Sequence, residues 1–119
     1  MRLVILESPY AGDIEANLAY ARACVRDSLL RGEAPIASHL LYTQPGILDD
    51  SMPDERAQGI AAGLAWRAVA QGSVVYVDRG ISDGMRQGVA AARAAGLPVY
   101  FRSIYEADVP AILRKAGVR

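Results

Sequence analysis

Apolar residues along this chain follow two alternating rhythms: short unbroken runs, and longer stretches where they recur every three or four positions. The run Leu3 to Leu6 leads into Ser8-Pro9-Tyr10-Ala11-Gly12 and predicts a buried strand followed by a turn. Asp13 then suits a helix cap, with Glu15 well placed in the first turn. Ile14, Leu18, Ala21, Val25 and Leu29 repeat at helical spacing, and Gly32 ends the helix. A second apolar segment covers Ala34 to Tyr42 and reads as the second strand, with His39 near its end. Thr43 to Met52 carries Pro, Gly and Asp and predicts a loop. Pro53, Asp54 and Glu55 open a helix whose apolar face is Ala57, Ile60, Ala61, Leu64, Ala65 and Ala68, closed by Gly72. Ser73 to Val77 is a strand rich in β-branched residues. After Asp78-Arg79-Gly80, Ser82 and Asp83 begin a helix carrying Met85, Val89, Ala92 and Ala95, which Gly96 stops. Pro98 to Arg102 is the fourth strand, and Asp108 caps a short helix from Val109 to Lys115.

Strand and helix alternate four times. Apolar runs separated by amphipathic helices specify an α/β fold, a mostly parallel sheet with helices on both faces. Right-handed crossovers leave few topologies, and a Rossmann-like sheet in the flavodoxin-like order 2-1-3-4 is the expectation. At 119 residues the chain is expected to form one domain over 1–119. With 52% hydrophobic residues it can build a real core, which excludes general disorder.

Charge narrows the partners. Thirteen basic and thirteen acidic side chains cancel, leaving no footprint for nucleic acid or an anionic membrane. The single cysteine, Cys24, excludes a disulfide framework and a four-thiolate zinc site, and reads as buried filler in a reducing compartment. The apolar stretch before Glu7 is too short for a secretory signal, so a cytoplasmic location is expected.

In sheets of this kind, ligands bind beyond the carboxyl ends of the strands, near the switch between the first and third. That rule selects Ser8, Tyr10 and Gly12, then His39 and Thr43, then Asp78 to Met85, then Arg102 and Ser103. In the turn Asp78-Arg79-Gly80-Ile81-Ser82-Asp83-Gly84, the glycines let a ligand approach the backbone. Ser82 adds a hydroxyl, and amides at the helix start attract phosphate or carboxylate. The same residues also make a plain strand-to-helix turn capped by Ser82. Asp83 repels a phosphate unless Arg79 or Arg86 neutralises it. His39 fits a general acid or phosphate partner, and equally a hydrogen-bonded structural histidine. It has no second His or Cys at ligand spacing, so no metal and no cofactor are expected. Asp49, Asp50, Asp54 and Glu55 could hold a divalent cation or simply form a solvated loop and an acidic helix start. Gly59 and Gly63 each cost about 1 kcal/mol relative to Ala inside a helix. They therefore point to close packing, either on the sheet or, with Trp66 and Arg67, at a contact with a second copy through helix 54–71.

Glu7-Ser8-Pro9-Tyr10-Ala11-Gly12, Ile81-Ser82-Asp83-Gly84-Met85 and Ala95-Gly96-Leu97-Pro98-Val99 stand in the order seen in nucleoside 2-deoxyribosyltransferase-like proteins. The chain resembles that family from about Leu3 to Arg102, most closely a branch of short, often phage-encoded domains. The resemblance implies a nucleoside or nucleotide ligand and sites completed across a homo-oligomer interface. Tyr10 matches a tyrosine near the sugar, and Ser82 a serine holding the 5′ end of the ligand. The family's nucleophilic Glu lies six residues beyond that serine, where this chain has Gly88, and a second carboxylate precedes the third strand, where it has Leu64, Trp66 and Val69. A transfer through a glycosyl–carboxylate ester needs a carboxylate; Asp78 and Asp83 are the remaining candidates.

The expectation is thus a domain that binds a phosphorylated nucleoside or an ADP-ribose-like signal without glycosyl transfer, sequestering it. The alternative is an N-glycosidase or deoxyribosyltransferase using a displaced Asp. The expected ligand-binding set is Ser8, Tyr10, Gly12, His39, Asp78, Arg79, Gly80, Ser82, Gly84, Met85 and Arg102, with Arg86 a further charge partner.

Overall fold

The computed structural model describes residues Met1–Arg119. The apolar runs become strands β1 (Leu3–Glu7), β2 (Ala34–Ile36), β3 (Gly72–Tyr76) and β4 (Val99–Arg102). They form one parallel sheet in the order β2-β1-β3-β4, the doubly wound topology expected from the alternation. The helices are α1 (Ile14–Leu30), α2 (Ser38–Leu41), α3 (Pro53–Ala65), α4 (Asp83–Ala94) and α5 (Val109–Ala116). None is long and apolar enough to cross a membrane.

Strand alternation divides the core. Val4, Leu6, Val74 and Tyr76 point to one face, where Tyr20 and Cys24 of α1 cover them. Val75 and Val77 point to the other and meet Met85 and Val89 of α4, flanked by Val109, Ile112 and Leu113 of α5. Caps fix where the helices begin: Asp13 accepts from the Ala16 amide at 3.2 Å, Ser82 from Met85 at 3.2 Å and Asp108 from Ala111 at 3.0 Å. Gly117 ends α5 in the left-handed region at φ 70°.

Two elements depart from the sequence reading. The second apolar segment is a strand only as far as Ile36, the last residue in register with β1. Beyond it the chain coils into α2. An edge strand has a partner on one side only, while Ala37 and Leu40, three residues apart, both reach the core from a helical turn.

The second departure is α3. Its predicted core face is exposed from Ala57 through Ala68, with Ile60 at 47% and Leu64 at 42%. The helix lies on α2 rather than on the sheet. Gly63 is the buried position, and a Cβ there would stand 2.5 Å from Ser38 Oγ. The glycine edge leaves room for the Ser38 side chain of α2, which the alanine and leucine face would not, and this favours the observed orientation. A single 3-10 turn, Trp66–Ala68, then returns the chain to β3.

Candidate functional site

The carboxyl ends of the central strands, roofed by α2, α3 and the start of α4, enclose a cavity of about 670 Å³. That volume suits a small organic ligand. Of the residues selected from sequence, Ser8, Tyr10, Gly12, His39, Thr43, Ser82, Asp83, Gly84 and Met85 line it together.

Four others are held elsewhere. Asp78 accepts hydrogen bonds from Tyr20, Ser103 and the amides of Ile104 and Tyr105, tying β3 to the segment after β4. Burial alone would raise its pKa, but these bonds outweigh burial and hold it below the ordinary value. Arg79 donates to Asn17 Oδ1 at 2.8 Å, and Gly80 makes the turn after β3 at φ 85°. Arg102 is bound to Glu33. Arg86, the other cation expected to neutralise Asp83, donates to the Ala116 carbonyl at 2.8 Å. Asp83 therefore faces the cavity without a cationic partner.

Gly88 holds the principal surprise. A Cβ built on it would lie 2.6 Å from the carboxyl carbon of Glu7, so the space a side chain would fill already contains the Glu7 carboxylate. Glu7 ends β1 on the face turned to α4 and lines the cavity. Arg67, from the 3-10 turn, donates from Nη2 to Glu7 Oε1 at 2.9 Å and to the Gly88 carbonyl at 3.1 Å. Its Nη1 reaches the Gly63 carbonyl at 3.3 Å. The Arg67 and Glu7 side chains are 8% and 16% exposed. No protein hydrogen bond holds Glu7 Oε2. Burial pushes the carboxyl pKa up to about 7 against the opposing pull of Arg67. A carboxyl poised near neutrality, with one oxygen anchored and one free, can exchange a proton or attack an electrophile.

The rest of the wall mixes apolar residues, among them Leu48, Ile60, Leu64 and Met85, with acidic ones. Asp50 is paired with Arg56 at 2.9 Å, whereas Glu55 and Asp83 lack a cationic partner. Ser82 caps α4 through its hydroxyl, while the Asp83 and Gly84 amides make no bond within the chain. No three His, Cys, Asp or Glu side chains converge as metal ligands. Trp66 bonds the Tyr42 hydroxyl at 2.9 Å, fastening the end of α3 to the loop beneath it.

Glu7 opens the motif quoted from sequence but is not among the selected site residues, and the structure places it at the end of β1 rather than after the strand. One signal was available: an acid closing an otherwise apolar central strand has to be either paired or used.

A family model described as a domain of unknown function, DUF7768, matches residues 2–102. No curated protein matches the chain in sequence. Among solved structures, it is similar to a 2-deoxyribosyltransferase of Bacillus psychrosaccharolyticus, at TM-score 0.60 and 18% identity, over 85% of this chain and 72% of that one. It is also similar to a Clostridium botulinum CMP N-glycosidase, BcmB, at TM-score 0.49 and 12% identity, over 97% of this chain and 82% of that one. The first likeness shows a shared fold.

Proposed function

This chain belongs to the DUF7768 family, a domain of unknown function, and from that premise we propose that its strand-end cavity takes a nucleoside-type ligand whose N-glycosidic bond Glu7 attacks. The observation that carries this reading is the Glu7 carboxylate standing in the space over Gly88. A carboxylate lost from the helix is replaced by one from the neighbouring strand. Ionised Oε2 would form an ester with the sugar C1 as the base departs and takes a proton from water. A second water then opens the ester and frees the sugar, or an incoming base accepts it. Tyr10 lies at the same wall for the sugar.

Charge favours an uncharged nucleoside over the phosphorylated ligand expected from sequence. Asp83 and Glu55 face the cavity without cations, and both lining arginines are already paired. Self-association is part of the proposal: Ile60 and Leu64 are exposed at the rim, where a second copy would close the cavity.

Sequestration without turnover is the second reading, favoured by the Arg67 pair, which also suits a purely structural glutamate. Incubation with nucleosides and 5′-monophosphates, followed by chromatography, separates the two. Enzyme-dependent release of free base is expected, falling about 100-fold or more in Glu7→Gln while calorimetric binding persists. Ligand recovered intact from the wild-type protein would leave sequestration, and neither binding nor release would end the nucleoside reading.

A further inference from the structure

The cavity contains a second reactive pair that the reading above leaves idle. Ser8 follows β1 directly and faces away from Glu7, because successive residues of an extended chain point to opposite sides. It is only 5% exposed. On that side the first turn of α2 presents His39, and Ser8 Oγ stands 2.6 Å from His39 Nε2. Both line the cavity.

We propose that Ser8 is a nucleophile and His39 its base, acting on a carboxylic ester or comparably activated acyl group in this cavity. A hydroxyl within hydrogen-bond reach of an imidazole nitrogen is the minimal arrangement that activates serine. Burial lowers the His39 pKa to about 4, so the imidazole is neutral at physiological pH and Nε2 is open to a hydrogen bond from Ser8, while the same burial makes it a weaker base than an exposed imidazole. The oxyanion has a seat as well. Tyr10, Ala11 and Gly12 line the same cavity, and their amides make no hydrogen bond within the chain. Their turn is braced through its carbonyls instead: Asn17 Nδ2 donates to Tyr10 O and Ala11 O, each at 3.0 Å. Fixed donors beside a nucleophile stabilise the charge that develops on the attacked carbonyl. The unpaired Glu55 and Asp83 in a partly apolar wall select the chemistry, since a neutral ester enters beside them more readily than a phosphate ester.

The step balances without a further reagent. Ser8 Oγ bonds to the carbonyl carbon and its proton passes to His39 Nε2. The carbon–oxygen bond to the alcohol breaks, and Nε2 returns the proton to the departing oxygen. Water, deprotonated by the same nitrogen, then releases the carboxylic acid and restores the hydroxyl.

An alkyl fluorophosphonate tests the pair without knowledge of the substrate, because Ser8 Oγ would displace fluoride and leave a stable phosphonyl ester. Intact mass of the folded wild-type chain should show one adduct, mapped to Ser8 by peptide analysis. It should vanish in Ser8→Ala and slow at least tenfold in His39→Gln, with thermal unfolding confirming that each variant folds. A base already neutral above pH 5 predicts a labelling rate level between pH 5 and 8, a readout that needs no variant. No adduct, an adduct elsewhere, labelling of His39→Gln at the wild-type rate, or a rate rising tenfold per pH unit would overturn the proposal. None of these outcomes depends on nucleoside binding, so this assignment and the preceding one fail separately.

Discussion

Two half-buried glutamate–arginine pairs flank the sheet, and they behave oppositely. Glu33, at the start of β2, receives both arms of Arg102, at 2.7 Å on Oε1 and 2.6 Å on Oε2, and Ser28 donates to Oε1 at 2.8 Å. Both oxygens are occupied, and the Arg102 hydrogen bonds hold its pKa below the ordinary value despite burial. Glu7 receives one arm of Arg67 on one oxygen, and burial prevails. Their side chains differ little in exposed area, 10% against 16%, but Glu7 sits deeper: burial is the largest influence on Glu7, whereas the Arg102 hydrogen bonds are the largest on Glu33. A fully satisfied carboxylate is committed to the fold, whereas a half-satisfied one at a cavity wall remains available for chemistry.

The strongest way to break this contrast is to remove each acid. Glu33→Leu leaves Arg102 buried and unpaired, so urea denaturation should show a loss of about 3–5 kcal/mol. A loss below about 1 kcal/mol would show that the Glu33–Arg102 pair is not committed to the fold.

The pH dependence of stability comes next. The folded-state pKa of Glu7 is raised from 4.5 to about 7, so its contribution is complete below 4.5 and lost as pH rises through 7. That of His39 is lowered from 6.5 to about 4, so its contribution is complete above 6.5 and lost as pH falls towards 4. Each is worth at most about 3 kcal/mol, with opposite signs in the shared window. Thermal unfolding of the wild type should therefore vary little between pH 4.5 and 6.5. Glu7→Gln should lose Tm on acidification across that window, and His39→Gln should gain it. Superimposable curves would show that neither group titrates as described.

A smaller effect is expected at Gly88. Gly88→Ala forces the Glu7 carboxylate from its place and should cost about 1–3 kcal/mol. The cost should shrink in a Glu7→Ala background, giving a measurable coupling energy; strict additivity would mean that the two positions do not share space. Smallest of all, Asp83→Asn should tighten binding of a nucleoside monophosphate by about 1 kcal/mol, roughly fivefold, with little change for the nucleoside. Equal changes for both ligands would place Asp83 away from the phosphate path.

The chain's own pattern determined the architecture. Local periodicity, the caps at Asp13, Ser82 and Asp108, and the handedness of crossovers leave a parallel sheet of one order, because each signal is read within a few residues. It also located much of the cavity wall, since strand ends at a switch point converge by topology: Ser8, Tyr10, His39 and Ser82 meet there. Tertiary structure alone decided what those residues face. Arg79, Arg86 and Arg102 are cations of unknown destination in the sequence and find partners away from the cavity once folded. The orientation of α3 turned on room for Ser38 at Gly63, where a Cβ would stand 2.5 Å from the serine hydroxyl, and the role of Gly88 on a carboxylate 81 positions earlier in the chain. Pairings between distant residues follow from packing in three dimensions, where a missing side chain is an invitation to whichever neighbour can fill it.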